Sequence, residues 1–126
     1  MVFPDLAPAG AQLASERERV AATEAGLAAE LEAVVEASAG ANLDDEHDPE
    51  GATVGFERAR LVSLLEHARR RLADLDDAAE RLRAGTYGTC ERCGQPISVE
   101  RLAAHPTAVM CVSCAGMSLR LPLHPR

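Results

Sequence analysis

The sequence predicts a mainly α-helical protein: a long antiparallel two-helix coiled-coil hairpin followed by a small module organised by four cysteines. Three observations carry this. Aromatic residues make up only 2% of the 126 residues, with no tryptophan, a composition suited to long helices and poor for a sheet or sandwich. Leu61, Leu65, Ala68, Leu72, Leu75, Ala79 and Leu82 alternate spacings of four and three without a break, which is the seam of a coiled coil. All four cysteines fall late, as two C-x2-C pairs: Cys90 with Cys93, and Cys111 with Cys114. A chain of this length has room for one ordinary domain and a small appendage.

In chain order, residues 1–12 contain Pro4, Pro8 and Gly10 and read as a flexible N-terminal arm. Residues 13–85 read as the hairpin. Ser15-Glu16-Arg17-Glu18 has the form of a capping box, so the first helix is expected from Ser15 to about Ser38, with Leu13, Val20, Leu27, Leu31 and Val34 as its apolar stripe. Gly40 is its natural stop. The second helix carries the seam and should end at Gly85 in the left-handed conformation. One seam needs another, and a connection of about a dozen residues lets the first helix fold back along the second, making a hairpin about 45 Å long at 1.5 Å per residue.

The hairpin tip, residues 42–52, holds Asp44, Asp45, Glu46, Asp48 and Glu50, five acids within seven residues. Asp48 as N-cap, Pro49 at the first helical position and Glu50 in the first turn account for part of this chemistry. Capping needs one or two acids. The others repel one another on a projecting tip, which points to a cationic or metal-bearing partner. His47 reads as an exposed loop residue.

Residues 86–118 read as the cysteine module and 119–126 as a short tail interrupted by Pro122 and Pro125. Two C-x2-C pairs separated by seventeen residues suit one tetrahedral Zn²⁺ held by four thiolates. Gly94 supplies the backbone freedom that the first turn needs. Two disulfides, or a redox-active pair at Cys90 and Cys93 in a thiol-based or zinc-sensing module, are the competing readings. Met1-Val2-Phe3-Pro4-Asp5 lacks the basic start and apolar core of a leader, so a cytoplasmic location with reduced thiols is expected. A full set of four cysteines leaves no coordination position for water, and His105 is not needed as a ligand. The zinc is therefore expected to be structural, and no catalytic residue and no enzyme activity are assigned. Ile97, Leu102, Val109 and Met110 are candidates for the module's small core, and Ser98 for the N-cap of a short helix ending before Pro106.

Charge narrows the partners. All thirteen basic residues are arginine, which removes lysine nucleophiles and phosphate-loop lysines. The formal net charge is −7, and four thiolates around one divalent cation make it about two units more negative. Direct nucleic-acid binding is not expected of such a chain, since it would have to segregate a basic face. A DNA-binding finger using Arg92 and Arg101 is the alternative. No stretch is long and apolar enough for a membrane span.

Gly85-Thr-Tyr-Gly-Thr-Cys-Glu-Arg-Cys-Gly, with Ile97, Arg101-Leu-Ala-Ala-His-Pro106, Ala108 and Cys111-x2-Cys114, closely resembles the DksA/TraR C4-type zinc finger family. The resemblance extends in architecture over residues 13–117. It implies a bacterial cytoplasmic regulator that binds RNA polymerase, places its hairpin in the secondary channel with acidic tip residues near the catalytic Mg²⁺, and modulates initiation, often with ppGpp. Where the best-studied members carry Asp-x-x-Asp-x-Ala, Asp45 and Asp48 match the acids, Glu50 stands at the alanine position, and Ala52 comes two residues later. No residue of this sequence by itself supports ppGpp binding.

Overall fold

The computed structural model describes residues 8–39 and 49–120, with side chains for 8–39 and 52–117. Four helices follow one another: α1 (Ala9–Ala39), α2 (Pro49–Ala84), α3 (Val99–Ala104) and α4 (Val112–Arg120). The chain forms two compact units. One combines α1 up to Arg17 with the described residues from Asp74 onward, and the other is Glu18–Ala73.

Within Glu18–Ala73, α2 turns Leu61, Leu65 and Ala68 inward, at 1–5% exposure, and α1 contributes half-buried Val20, Leu27, Leu31 and Val34. These are the residues the heptad pattern selects. Each fully buried leucine stabilises the pair by about 1.5–3 kcal/mol. Glu24 accepts from Arg69 Nε at 3.2 Å across the two helices. In the other unit Arg17 Nε donates to Asp76 Oδ1 at 2.6 Å, and that bond holds the Asp76 carboxyl below its usual range. Each ion pair ties α1 to α2 within its own unit. Both are exposed, so they specify register more than they add stability.

The seam differs from the heptad pattern at one place. Leu75 is buried as expected, but Ala78 is completely buried while Ala79 is only half-buried. Positions 75, 78, 79 and 82 share one helical face, so the stripe widens there without changing period.

The start of α1 is a larger correction. The helix begins at Ala9, so residues 9–12 belong to it and not to an arm, and Ser15 and Glu18 are exposed positions inside the helix instead of its cap. The Pro8 carbonyl accepts the first helical bond, from Gln12 N–H at 3.1 Å. Burial explains the extension. Ala9 and Leu13 are 6% and 3% exposed, and a Cβ built on Gly10 would meet Leu82 Cδ2 at an ordinary 3.5 Å. Burying one leucine is worth about 1.5–3 kcal/mol, more than the roughly 1 kcal/mol of a serine cap.

The ends of α2 follow the expected chemistry. Pro49 is its first residue. Beyond Ala84, Gly85 takes φ +81°, its N–H bonds the Leu82 carbonyl at 3.3 Å, and Thr86 N–H reaches back to the Arg81 carbonyl at 2.9 Å. That pair of bonds is a Schellman motif. Nothing lies within 4 Å of a Cβ placed on Gly85, so Gly85→Ala should cost only the left-handed backbone penalty, about 1–2 kcal/mol. Denaturant unfolding of the metal-loaded protein measures this, and an unchanged midpoint would contradict the motif's role.

Candidate metal centre

The module begins where the Schellman turn ends. Thr89 and Pro96 form an antiparallel bridge, and Ile97 N–H bonds the Gly88 carbonyl at 2.7 Å. Between these residues the chain makes its first knuckle: Cys90 N–H donates to Gln95 O at 2.8 Å and Gly94 N–H to Cys90 O at 3.0 Å. Gly94 adopts φ +75°, the conformation expected of it, and Gly88 does the same at φ +82°. The second pair straddles the start of α4, with Cys111 just before the helix and Cys114 in its first turn. Glu91 N–H joins the two halves by bonding Val109 O at 2.8 Å.

The fold therefore gathers the four cysteines. Their Sγ atoms all lie within 4.8 Å of one another, and Cys93 Sγ and Cys111 Sγ are 3.8 Å apart. A tetrahedron of sulfurs each about 2.3 Å from Zn²⁺ has edges of about 3.8 Å, so the donor set fits one such ion. Cys90 and Cys114 are buried, Cys111 is half-buried and Cys93 is exposed. His105 is exposed, and among the described residues no other group of histidine, cysteine or acid side chains comes together in this way.

The environment prepares the thiols for a cation. The Cys90 thiol is pulled down to about 6, first by the main-chain N–H of Cys111, then by those of Cys93 and Arg92. Cys114 is pushed up to about 12 by hydrogen bonding with the Cys111 side chain, by burial, and by bonds with Cys90 and Cys93. One sulfur gives up its proton early and another holds on last, because four thiolates this close can coexist only around a positive ion. A bound Zn²⁺ supplies that charge, and the coordination energy, about 10 kcal/mol or more, is available to folding.

The small core around the sulfurs matches the sequence in part. Ile97 and Leu102 are buried at 1% and 6% exposure, and Ser98 caps α3 by accepting from Arg101 N–H at 3.2 Å. Val109 and Met110 are only half-buried; their main-chain carbonyls matter more than their side chains. Tyr87, the single tyrosine of the chain, is also buried here, at 3% exposure. Its hydroxyl donates to Pro106 O at 2.8 Å, and burial pushes its ionisation up. Sequence reasoning passed over this residue, although a lone tyrosine beside a cysteine knuckle is a signal for such a buried polar anchor. Arg101, a candidate DNA contact by sequence, is half-buried and turns its Nε onto Met110 O at 2.8 Å. Arg92 is exposed.

Of the acids assigned to the tip, Asp44, Asp45, Glu46 and Asp48 lie outside the described residues. Glu50 falls in the first turn of α2, beyond the described side chains.

Residues 85–116 match the model of the prokaryotic dksA/traR C4-type zinc finger, a span that contains all four gathered cysteines. The match covers 32 of the 126 residues and assigns this segment to the dksA/traR C4 type of zinc finger. Over 64 residues it is 41% identical to YteA of Bacillus subtilis, covering 51% of this chain and 27% of that protein. Over 56 residues it is 39% identical to the RNA polymerase-binding transcription factor DksA of Caulobacter vibrioides, covering 44% of this chain and 39% of that protein. The matches thus span well under half the length of these curated relatives. Among solved structures, transcription factor DksA2 from Pseudomonas aeruginosa is similar over 96% of this chain and 94% of its own, with a TM-score of 0.77 and 26% identity. Among the described residues no helix is long and apolar enough to cross a membrane.

Two substitutions separate the roles of sulfur and scaffold. Cys111→Ser should lower zinc affinity and loosen the finger, read by chelator competition; full zinc retention with unchanged stability would contradict a four-thiolate site. Tyr87→Phe should leave one zinc bound but lower unfolding stability by about 0.5–1.5 kcal/mol through the lost hydroxyl donor, and an unaltered unfolding curve would show the bond to be dispensable.

Proposed function

We propose that this chain is a transcription regulator that binds RNA polymerase, with Zn²⁺ held by Cys90, Cys93, Cys111 and Cys114 as a structural element. The observation that carries this is similarity along nearly the whole chain to a transcription factor of the DksA type, joined to a four-cysteine finger of the same family. The Caulobacter relative is an RNA polymerase-binding factor, and that gives the partner. On this reading the protein acts in the bacterial cytoplasm, where the polymerase is.

In the proposed mechanism the hairpin enters the polymerase secondary channel and Asp44, Asp45, Glu46, Asp48 and Glu50 act at its tip, with Asp45 and Asp48 as the principal acids. Carboxylates clustered in this way gain most from a partner that presents cations or a metal ion. The net charge of −7 favours such a protein partner over direct contact with nucleic acid, whose phosphates repel an acidic chain. The finger's part is structural: a closed thiolate shell leaves no site for a reacting water. ppGpp forms no part of the proposal.

Co-purification with RNA polymerase tests the partner; retention no better than that of an unrelated acidic helical protein would remove it. Binding to promoter DNA alone, falling steeply with salt, would instead favour a direct DNA contact. For the tip, Asp45→Asn combined with Asp48→Asn should preserve polymerase binding and change promoter-complex lifetime relative to the parent. An unchanged lifetime would refute the assignment of these acids.

A further inference from the structure

The second cysteine pair is delivered by residues 105–110, a strap with neither helix nor strand between α3 and Cys111. Its carbonyls are nevertheless tied down one after another. Pro106 O accepts from Tyr87 Oη at 2.8 Å, Thr107 O from Arg81 Nη2 at 3.4 Å, Val109 O from Glu91 N–H at 2.8 Å and Met110 O from Arg101 Nε at 2.8 Å. The last of these is the acceptor adjacent to Cys111.

Arg101 is itself well placed to hold it. Its N–H bonds the capping Ser98 Oγ at 3.2 Å, its carbonyl accepts from His105 N–H at 2.7 Å, and its neighbour Leu102 is buried. The guanidinium therefore projects from a backbone fixed at both ends of α3. Arg81 makes a longer bond, farther from the sulfurs, and is the weaker hold.

We propose that Arg101 is a positioning residue that sets the zinc affinity of the finger. This rests on the reading of the four cysteines as a zinc site. By fixing the Met110 carbonyl, Arg101 presents Cys111 to the other three sulfurs before the ion arrives, so binding does not have to order the strap. Without that bond, residues between Pro106 and Cys111 keep only their remaining ties, and part of the binding free energy goes into ordering them. Arg101 also carries positive charge near a site that becomes anionic when filled, which must be separated from its geometric role. Arg92 provides the comparison: it is an exposed arginine inside the first knuckle.

The test uses the full chain, zinc competition against a colorimetric chelator, and Co²⁺ absorption as a report on the tetrahedral thiolate shell. Arg101→Met should weaken zinc binding about 10–100-fold, the usual effect of losing an outer support of a metal site. At saturating Co²⁺ it should show the parent's thiolate bands. Arg101→Lys, which retains a donor, should recover most of the affinity, and Arg92→Met should stay within about twofold of the parent. Affinity of Arg101→Met within about twofold of the parent overturns the proposal, as does an equal loss in Arg92→Met, which would make the effect one of charge. Failure of Arg101→Lys to bind better than Arg101→Met overturns it too, including where Arg101→Met is poorly folded by circular dichroism at saturating zinc. Cys111→Ser, measured alongside, separates the two levels: if it binds zinc like the parent, the four-thiolate reading is what fails.

Discussion

Four sulfur atoms that must converge within 4.8 Å impose the strictest demand on this chain, because they arrive from two segments with seventeen residues between them. Each thiol placed near the others raises the cost of ionising the next, and only a cation removes that cost. The rest of the finger can be understood as what this convergence requires. Two glycines take left-handed conformations around the first knuckle, the Thr89–Pro96 bridge closes it, and main-chain N–H groups point at the Cys90 sulfur. A bundle of four thiolates with no such donors would be a poorer cage even with the same spacing.

The second half of the cage has no regular structure to lean on until α4 begins, and side chains stand in for it. Tyr87, Arg81 and Arg101 come from the exit of α2, from α2 itself and from α3, and all donate to carbonyls of residues 106–110. Arg81 has a double part, since its own carbonyl also accepts from Thr86 and Tyr87 N–H at the end of α2. Gln12 Nε2 adds a contact from α1, to Ala103 O at 3.4 Å. The finger is thus built into the compact unit that contains the first turns of α1 and the last of α2, and a cysteine-to-metal description alone would leave out the groups that hold the ligands in place.

For the helices, the constraint is different. With so few aromatics and so much alanine, α1 and α2 can bury only a narrow stripe each, and Leu61, Leu65 and Leu75 supply most of the large buried surface on α2. The exposed ion pairs, Arg17 with Asp76 and Glu24 with Arg69, add direction to a seam of leucine and alanine that by itself is permissive about register. Helix-level stability here is modest, and metal coordination is the largest single free-energy term available to the fold.

Sequence by itself determined what depends on local spacing. The four-three alternation of α2, the left-handed Gly85 and Gly94, Pro49 at a helix start, Ser98 as a cap and the two knuckles are each decided within a few residues, so their periodicity and turn chemistry are written in order along the chain. Tertiary structure decided what depends on residues far apart. Ser15 had the local credentials of a cap, but burial of Ala9 and Leu13 carried the helix past it. Arg101 is indistinguishable by local pattern from a surface cation until α3 sets it against Met110, and Tyr87 finds its acceptor nineteen positions away at Pro106. A local motif competes only with its neighbours, whereas an arginine or tyrosine takes its role from whichever unpaired carbonyl the fold brings to it.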